Sequence, residues 1–110
     1  MSNNSWQAFD LNEEVKRQLE SGSPYNEFLR VQSLSCGIYT LKANSKDLQS
    51  PHDEDEVYAV IKGRAQLKID DRTVAIRPGS VLYVAASSDH SFFEIEEDLT
   101  LLVFFATGGE

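Results

Sequence analysis

The chain has 110 residues, 41% hydrophobic, 25% charged and 10% aromatic, which suits one globular core and excludes disordered, collagen-like and low-complexity classes. Ten Lys+Arg against eighteen Asp+Glu give a formal charge of −8, opposing the counterion release behind nucleic-acid affinity and attraction to anionic membranes. No run approaches the roughly 18 apolar residues of a membrane helix, so neither nucleic acid nor membrane is expected as a partner.

In chain order, the polar stretch from Met1 to Asp10 lacks the basic-then-apolar run of a secretion signal, and a cytoplasmic protein is expected. Leu11, Val15 and Leu19 then recur four apart, Glu13 and Glu14 stand near the start, Asp10 or Asn12 offers a cap, and Gly22 follows the end. This pattern predicts a short amphipathic helix over residues 10–20, closed by the Ser21 to Pro24 break. Residues 1–24 therefore read as an N-terminal helical arm and 25–110 as a β domain.

From Phe28 the period shortens. Strands are predicted over 28–34, 37–42, 57–62, 64–70, 73–76, 81–84, 91–95 and 99–105, with no second helix. Ala65, Leu67 and Ile69 alternate with polar residues, which gives that strand one wet face. The last run, Leu99 to Phe105, is apolar on both faces, so it lies between layers or meets another subunit. Lys62-Gly63 and Asp70-Asp71-Arg72 are gaps of hairpin length, and Pro78-Gly79 suits a type II turn. Short antiparallel strands without crossover helices predict an all-β sandwich or small barrel, and eight strands can enclose one small-ligand cavity.

The two histidines, His52 and His90, both stand at strand edges. His52 precedes Glu56 by four residues, an even offset that sends both side chains to one face of an extended chain. Two imidazoles and a carboxylate directed into one cavity can bind iron, manganese, nickel, copper or zinc and leave open positions.

The order and turns around these residues resemble the cupin family. Its first motif, G-x5-H-x-H-x(3,4)-E-x6-G, is similar to the run ending Ser50-Pro51-His52-Asp53-Glu54-Asp55-Glu56 and closing at Gly63. Here His52 takes the second histidine and Glu56 the glutamate. The second motif, G-x5-P-x-G-x2-H-x3-N, resembles Pro78-Gly79 through His90 in a longer-spaced form. Ser50 stands at the first-histidine position, Asn44 at the opening glycine, and Glu94 near the final asparagine. Counted with the four-residue spacing, Gln49 and Pro51 take the histidine positions. The three-residue count retains a ligand, and Gln49 could add an amide oxygen.

The resemblance implies a cupin, or double-stranded β-helix (jelly-roll), barrel. It also implies a divalent transition metal held by His52, Glu56 and His90 with Gln49, Ser50 or water in the fourth position. Such a site implies dioxygenase-, isomerase- or lyase-like chemistry on a small oxygen-rich molecule. The alternative is a non-catalytic ligand-binding barrel with weak or no metal. A sugar isomerase or epimerase is a further rival, although the acidic charge suits an anionic substrate poorly.

Tyr58 shares the parity of Glu56 and is the candidate catalytic hydrogen-bond donor. Asp53, Glu54 and Asp55 read as a solvated acidic loop or a source of a general base. Phe92 shares the parity of His90, with Tyr39, Tyr83, Phe93 and Phe105 as further aromatic lining candidates. Cys36 is the only cysteine, which excludes an intrachain disulfide and a cysteine-rich zinc cluster; it reads as a small buried hydrophobe. The doubly apolar last strand predicts a homodimer.

Overall fold

The computed structural model describes residues 5–47 and 53–107. One helix and eight strands follow in order: α1 Leu11–Ser21, β1 Tyr25–Arg30, β2 Leu34–Leu41, β3 Glu56–Lys62, β4 Ala65–Ile69, β5 Arg72–Ile76, β6 Val81–Val84, β7 His90–Phe93 and β8 Leu99–Ala106. The strands form two antiparallel sheets, β1-β2-β8-β3-β6 and β5-β4-β7. Their inward residues make one core, including Tyr58, Leu67, Phe92, Ile95, Leu99, Leu101 and Val103. This is the expected all-β jelly-roll with a short N-terminal helix.

Asp10 caps α1, its carboxylate accepting from the Glu13 N–H at 3.1 Å, and Gly22 closes the helix at φ 77°. The face turned to β1 and β2 differs from the simple four-residue stripe. Glu14 and Gln18 are buried, whereas Leu19 is 65% exposed. The Gln18 amide donates to the Ser23 carbonyl and the Thr40 hydroxyl, at 2.7 and 2.9 Å. The helix is thus latched by polar contacts, because the sheet surface beneath it offers carbonyls at the Ser23-Pro24 corner.

Two strand expectations are corrected. The expected first strand over 28–34 straddles a turn: β1 ends at Arg30, and the Val31 N–H returns to the Leu34 carbonyl at 2.9 Å. Lys62-Gly63 does not make a hairpin either, since β3 and β4 belong to different sheets. Gly63, at φ 99°, lies so close to the Asp98 carbonyl that a Cβ would collide with it, so the chain can turn this corner only with glycine. The other turns form as expected. Ile69 pairs with Arg72 across Asp70-Asp71. The Ser80 N–H bonds the Arg77 carbonyl at 2.9 Å, with Gly79 at φ 95° as a type II turn requires.

Strand β8 lies between β2 and β3. Its inward side, Leu99, Leu101 and Val103, is buried, while Phe104 on the other side is 38% exposed.

Candidate functional site

Glu56 and Tyr58 sit two apart on β3, so the pleat sends both side chains to the barrel interior, where they are 2% and 1% exposed. His90 opens β7 on the opposite sheet, and Phe92 follows two residues on. The sandwich brings these four together. His90 Nε2 stands 3.0 Å from the Tyr58 hydroxyl and 3.5 Å from Glu56 Oε2. The Phe92 ring packs edge-on against Tyr58, with centroids 5.1 Å apart.

The hydrogen-bond network assigns the imidazole tautomer. His90 Nδ1 lies 3.2 Å from the Ser88 carbonyl, which can only accept, so Nδ1 carries a proton, and in the neutral imidazole Nε2 then presents its lone pair to the Tyr58 hydroxyl. The Glu56 carboxylate is half satisfied: Oε2 faces His90, while Oε1 is buried with no hydrogen-bond partner among the described residues. An imidazole lone pair and a carboxylate facing each other in a sealed interior form a pair that a cation or proton between them would stabilise.

Gln49 and His52 lie outside the described residues, as does Ser50. Among the described residues, no group of three or more His, Cys, Asp or Glu side chains converges. Glu56 and His90 supply two facing donors, and this pair is chemically suited to a divalent transition metal that takes nitrogen and oxygen ligands.

The acidic run before β3 divides. Asp53 and Asp55 are both exposed, and the Asp55 carboxylate in addition accepts from the Ala86 N–H at 2.7 Å, tying the start of β3 to the β6–β7 loop. Among the aromatic candidates, Tyr39, Phe92 and Phe105 face inward. Tyr83 does not; it is 62% exposed on the outer side of β6, because its parity opposes the buried Val84. Cys36 is buried as expected, and burial pushes its thiol up to about 11.

Three contributors are not evident in the sequence. Asp47 receives the Tyr39 hydroxyl at 2.8 Å and the Phe92 N–H at 2.9 Å, so one carboxylate joins both sheets beside the site. Tyr25 and Ser35 carry buried hydroxyl oxygens without hydrogen-bond partners among the described residues. No local signal distinguishes these residues, whose surroundings come from distant strands.

Two departures from the cupin motifs acquire a structural meaning. Asn44, at the opening-glycine position, has φ 64°, and Glu94, near the final asparagine, has φ 47°. Both positions demand the left-handed backbone that Gly and Asn tolerate best.

A small jelly-roll with a carboxylate and an imidazole turned inward defines a cupin-type barrel. Residues 37–105 match the family model described as Cupin domain, and the chain belongs to that family. It is 44% identical over 100 residues to the uncharacterized protein SCO3923 of Streptomyces coelicolor, covering 90% of this chain and 94% of that one. Among solved structures it resembles TT1209 from Thermus thermophilus, with TM-score 0.73 and 18% identity, over 93% of this chain and 98% of the other. It also resembles a cupin-2 domain protein from Shewanella frigidimarina, with TM-score 0.70 and 14% identity, over 87% and 91%.

Proposed function

We propose that this cupin binds a divalent transition metal through Glu56, His90 and His52, with Gln49, Ser50 or water completing the set, and acts on a small oxygen-rich molecule. The observation that carries this reading is the sealed Glu56–His90 pair, with Nε2 3.5 Å from Oε2 and with Oε1 unpartnered among the described residues. When bound, iron, manganese, nickel, copper or zinc supplies Lewis acidity and open coordination positions for dioxygenase-, isomerase- or lyase-like chemistry.

The chain's own residues do the rest. The Ser88 carbonyl holds the Nδ1–H tautomer and keeps the Nε2 lone pair directed inward. The Tyr58 hydroxyl, now donating to Nε2, can redirect its O–H toward a ligand oxygen when Nε2 is engaged elsewhere. Phe92 restricts Tyr58 to one orientation, and the apolar core around the pair excludes water. The protein is read as a cytoplasmic homodimer joined through the outer face of β8, β3 and β6.

The test is metal uptake by chelator-stripped protein equilibrated with Ni2+ or Mn2+, measured by elemental analysis and competition. Wild type and Asp53→Ala should load stoichiometrically, while His90→Ala should bind at least about tenfold more weakly. Equal retention in the two variants overturns the assignment.

A second reading, a binding barrel without metal, is favoured by the protein partners that both His90 nitrogens already have. It predicts no uptake and an unfolding temperature indifferent to chelators.

A further inference from the structure

On the inner face of the larger sheet, Ser35, Phe105 and Glu56 stand in one row, since Phe105 pairs with both of the others. Strands about 4.8 Å apart make that row roughly 10 Å wide. Gly37 lies two residues from Ser35 on β2, and the hydroxyl end of Tyr25 rests against it so closely that a Cβ there would collide with the ring. Tyr25 also packs edge-on against Phe105, centroids 6.1 Å apart. The Tyr25 and Ser35 hydroxyls therefore lie at one end of the barrel interior, on the far side of Phe105 from Glu56. Among the described residues neither has a hydrogen-bond partner, and both oxygens are closed off from solvent.

Dry, unpaired hydroxyls are costly, and an apolar residue of the same shape would remove the cost. A phenylalanine at 25 and an alanine at 35 would fill nearly the same space. We propose that Tyr25 and Ser35 orient the ligand, binding the hydroxyl or carbonyl oxygens of a compact, uncharged hydroxy-carbonyl molecule. The proposal rests on the reading of the barrel interior as a small-molecule site.

The chemistry selects an uncharged guest. Each of the two hydroxyls can donate one hydrogen bond and accept another, and neither carries a positive charge to pair with an anion, so they suit an uncharged guest that brings both a donor and an acceptor. Burial, with the Glu27 carboxylate next in effect, pushes the Tyr25 phenol above its ordinary range and keeps it a neutral donor. Tyr25 belongs to the edge strand β1, and its side chain is only half-buried, so its ring is the part of this wall that can turn aside to admit the guest.

The test uses Tyr25→Phe and Ser35→Ala, with dihydroxyacetone as the neutral probe and glycolate as its anionic counterpart. Titrations are run on metal-free and Ni2+-equilibrated protein. Without ligand, both variants should melt at or above the wild-type temperature, Tyr25→Phe by about 4 °C. Dihydroxyacetone should bind wild type better than glycolate does, and each variant at least about fivefold more weakly than wild type. A clear loss of Tm in the unliganded variants, equal binding to wild type and variants, or no binding to wild type overturns the proposal. Elemental analysis keeps the two readings apart: wild type that takes up no Ni2+ sinks the metal assignment, while the dihydroxyacetone titration still decides the role of the hydroxyls.

Discussion

The Tyr58 hydroxyl is the only described group seen donating to His90 Nε2, which makes its removal informative. In Tyr58→Phe the imidazole lone pair loses its partner in a dry site, at a cost of about 1 kcal/mol, or about 4–8 °C in Tm for a domain near this size. If Nε2 becomes a metal ligand, that cost disappears on loading. Calorimetry of metal-free and Ni2+-equilibrated protein should therefore show a Tm gap between wild type and Tyr58→Phe that closes with metal. A gap of the same size in both states would mean that Nε2 remains with Tyr58.

Buried thiol and phenol groups set the alkaline limit. The Cys36 thiol keeps its proton in the fold until about pH 11, against 9.0 for the ordinary thiol. The unfolded chain loses that proton first, so the contribution to stability is complete below pH 9 and is lost as pH rises toward 11. Tyr25 and Tyr39, raised chiefly by burial, act with the same sign from about pH 10 upward. Urea midpoints measured from pH 7 to 11 should be flat and then fall above pH 9, with Cys36→Ala removing the earliest part of the decline. An unchanged early slope in that variant would show that the thiol is not responsible.

Among the elements, the corner between β3 and β4 has the least freedom. Gly63→Ala adds a Cβ against the Asp98 backbone and imposes a φ of 99° on an L side chain. Together these should cost about 3 kcal/mol or more, read as a lower urea midpoint at constant slope. Gly79→Ala isolates the conformational part, since nothing lies within 4 Å of its Cβ position. Its loss should be smaller, and equal losses would remove the steric argument at Gly63.

That corner also marks how far the sequence could be read. The alternation in Ala65 to Ile69 and the Pro78-Gly79 turn are local signals, and the elements form where they indicate. Lys62-Gly63 has the spacing of a hairpin, yet which sheet a strand joins depends on partners some forty residues away. The start of β1 was hidden because an edge strand needs no apolar alternation, and the Val31 to Ser33 turn contains neither Gly nor Pro. At the candidate site, parity and motif order indicated the inward convergence of Glu56, Tyr58 and His90, and the structure brings Glu56 and Tyr58 within 3.5 Å of His90 Nε2. Asp47, Tyr25 and Ser35 were not legible, because their importance comes from long-range packing.

At the scale of the whole molecule, the outer face of the larger sheet is the feature still without a partner. Two registered rows cross it, Ile38-Leu102-Ala59-Val81 and Cys36-Phe104-Val57-Tyr83. The β2 end of both rows is buried, with α1 packed on β1 and β2, whereas Val81, Tyr83 and Phe104 are 69%, 62% and 38% exposed. A stable dimer buries about 800 Å² on each partner. Three strands alone offer less, so these residues would form the apolar centre, and flanking groups such as Leu34 and Val31, 37% and 43% exposed, would extend it. A two-fold axis through the face would set each Tyr83-Phe104 row against its copy, where aspartate would be buried beside its own charge on an already acidic chain. Tyr83→Asp with Phe104→Asp should therefore weaken association at least about 100-fold while leaving the inward-facing core and metal uptake unchanged. Sedimentation at micromolar concentration should give a dimer for wild type and a monomer for the double variant. A wild type that sediments as a monomer would leave this face to some other partner and would remove the homodimer from the account of the protein.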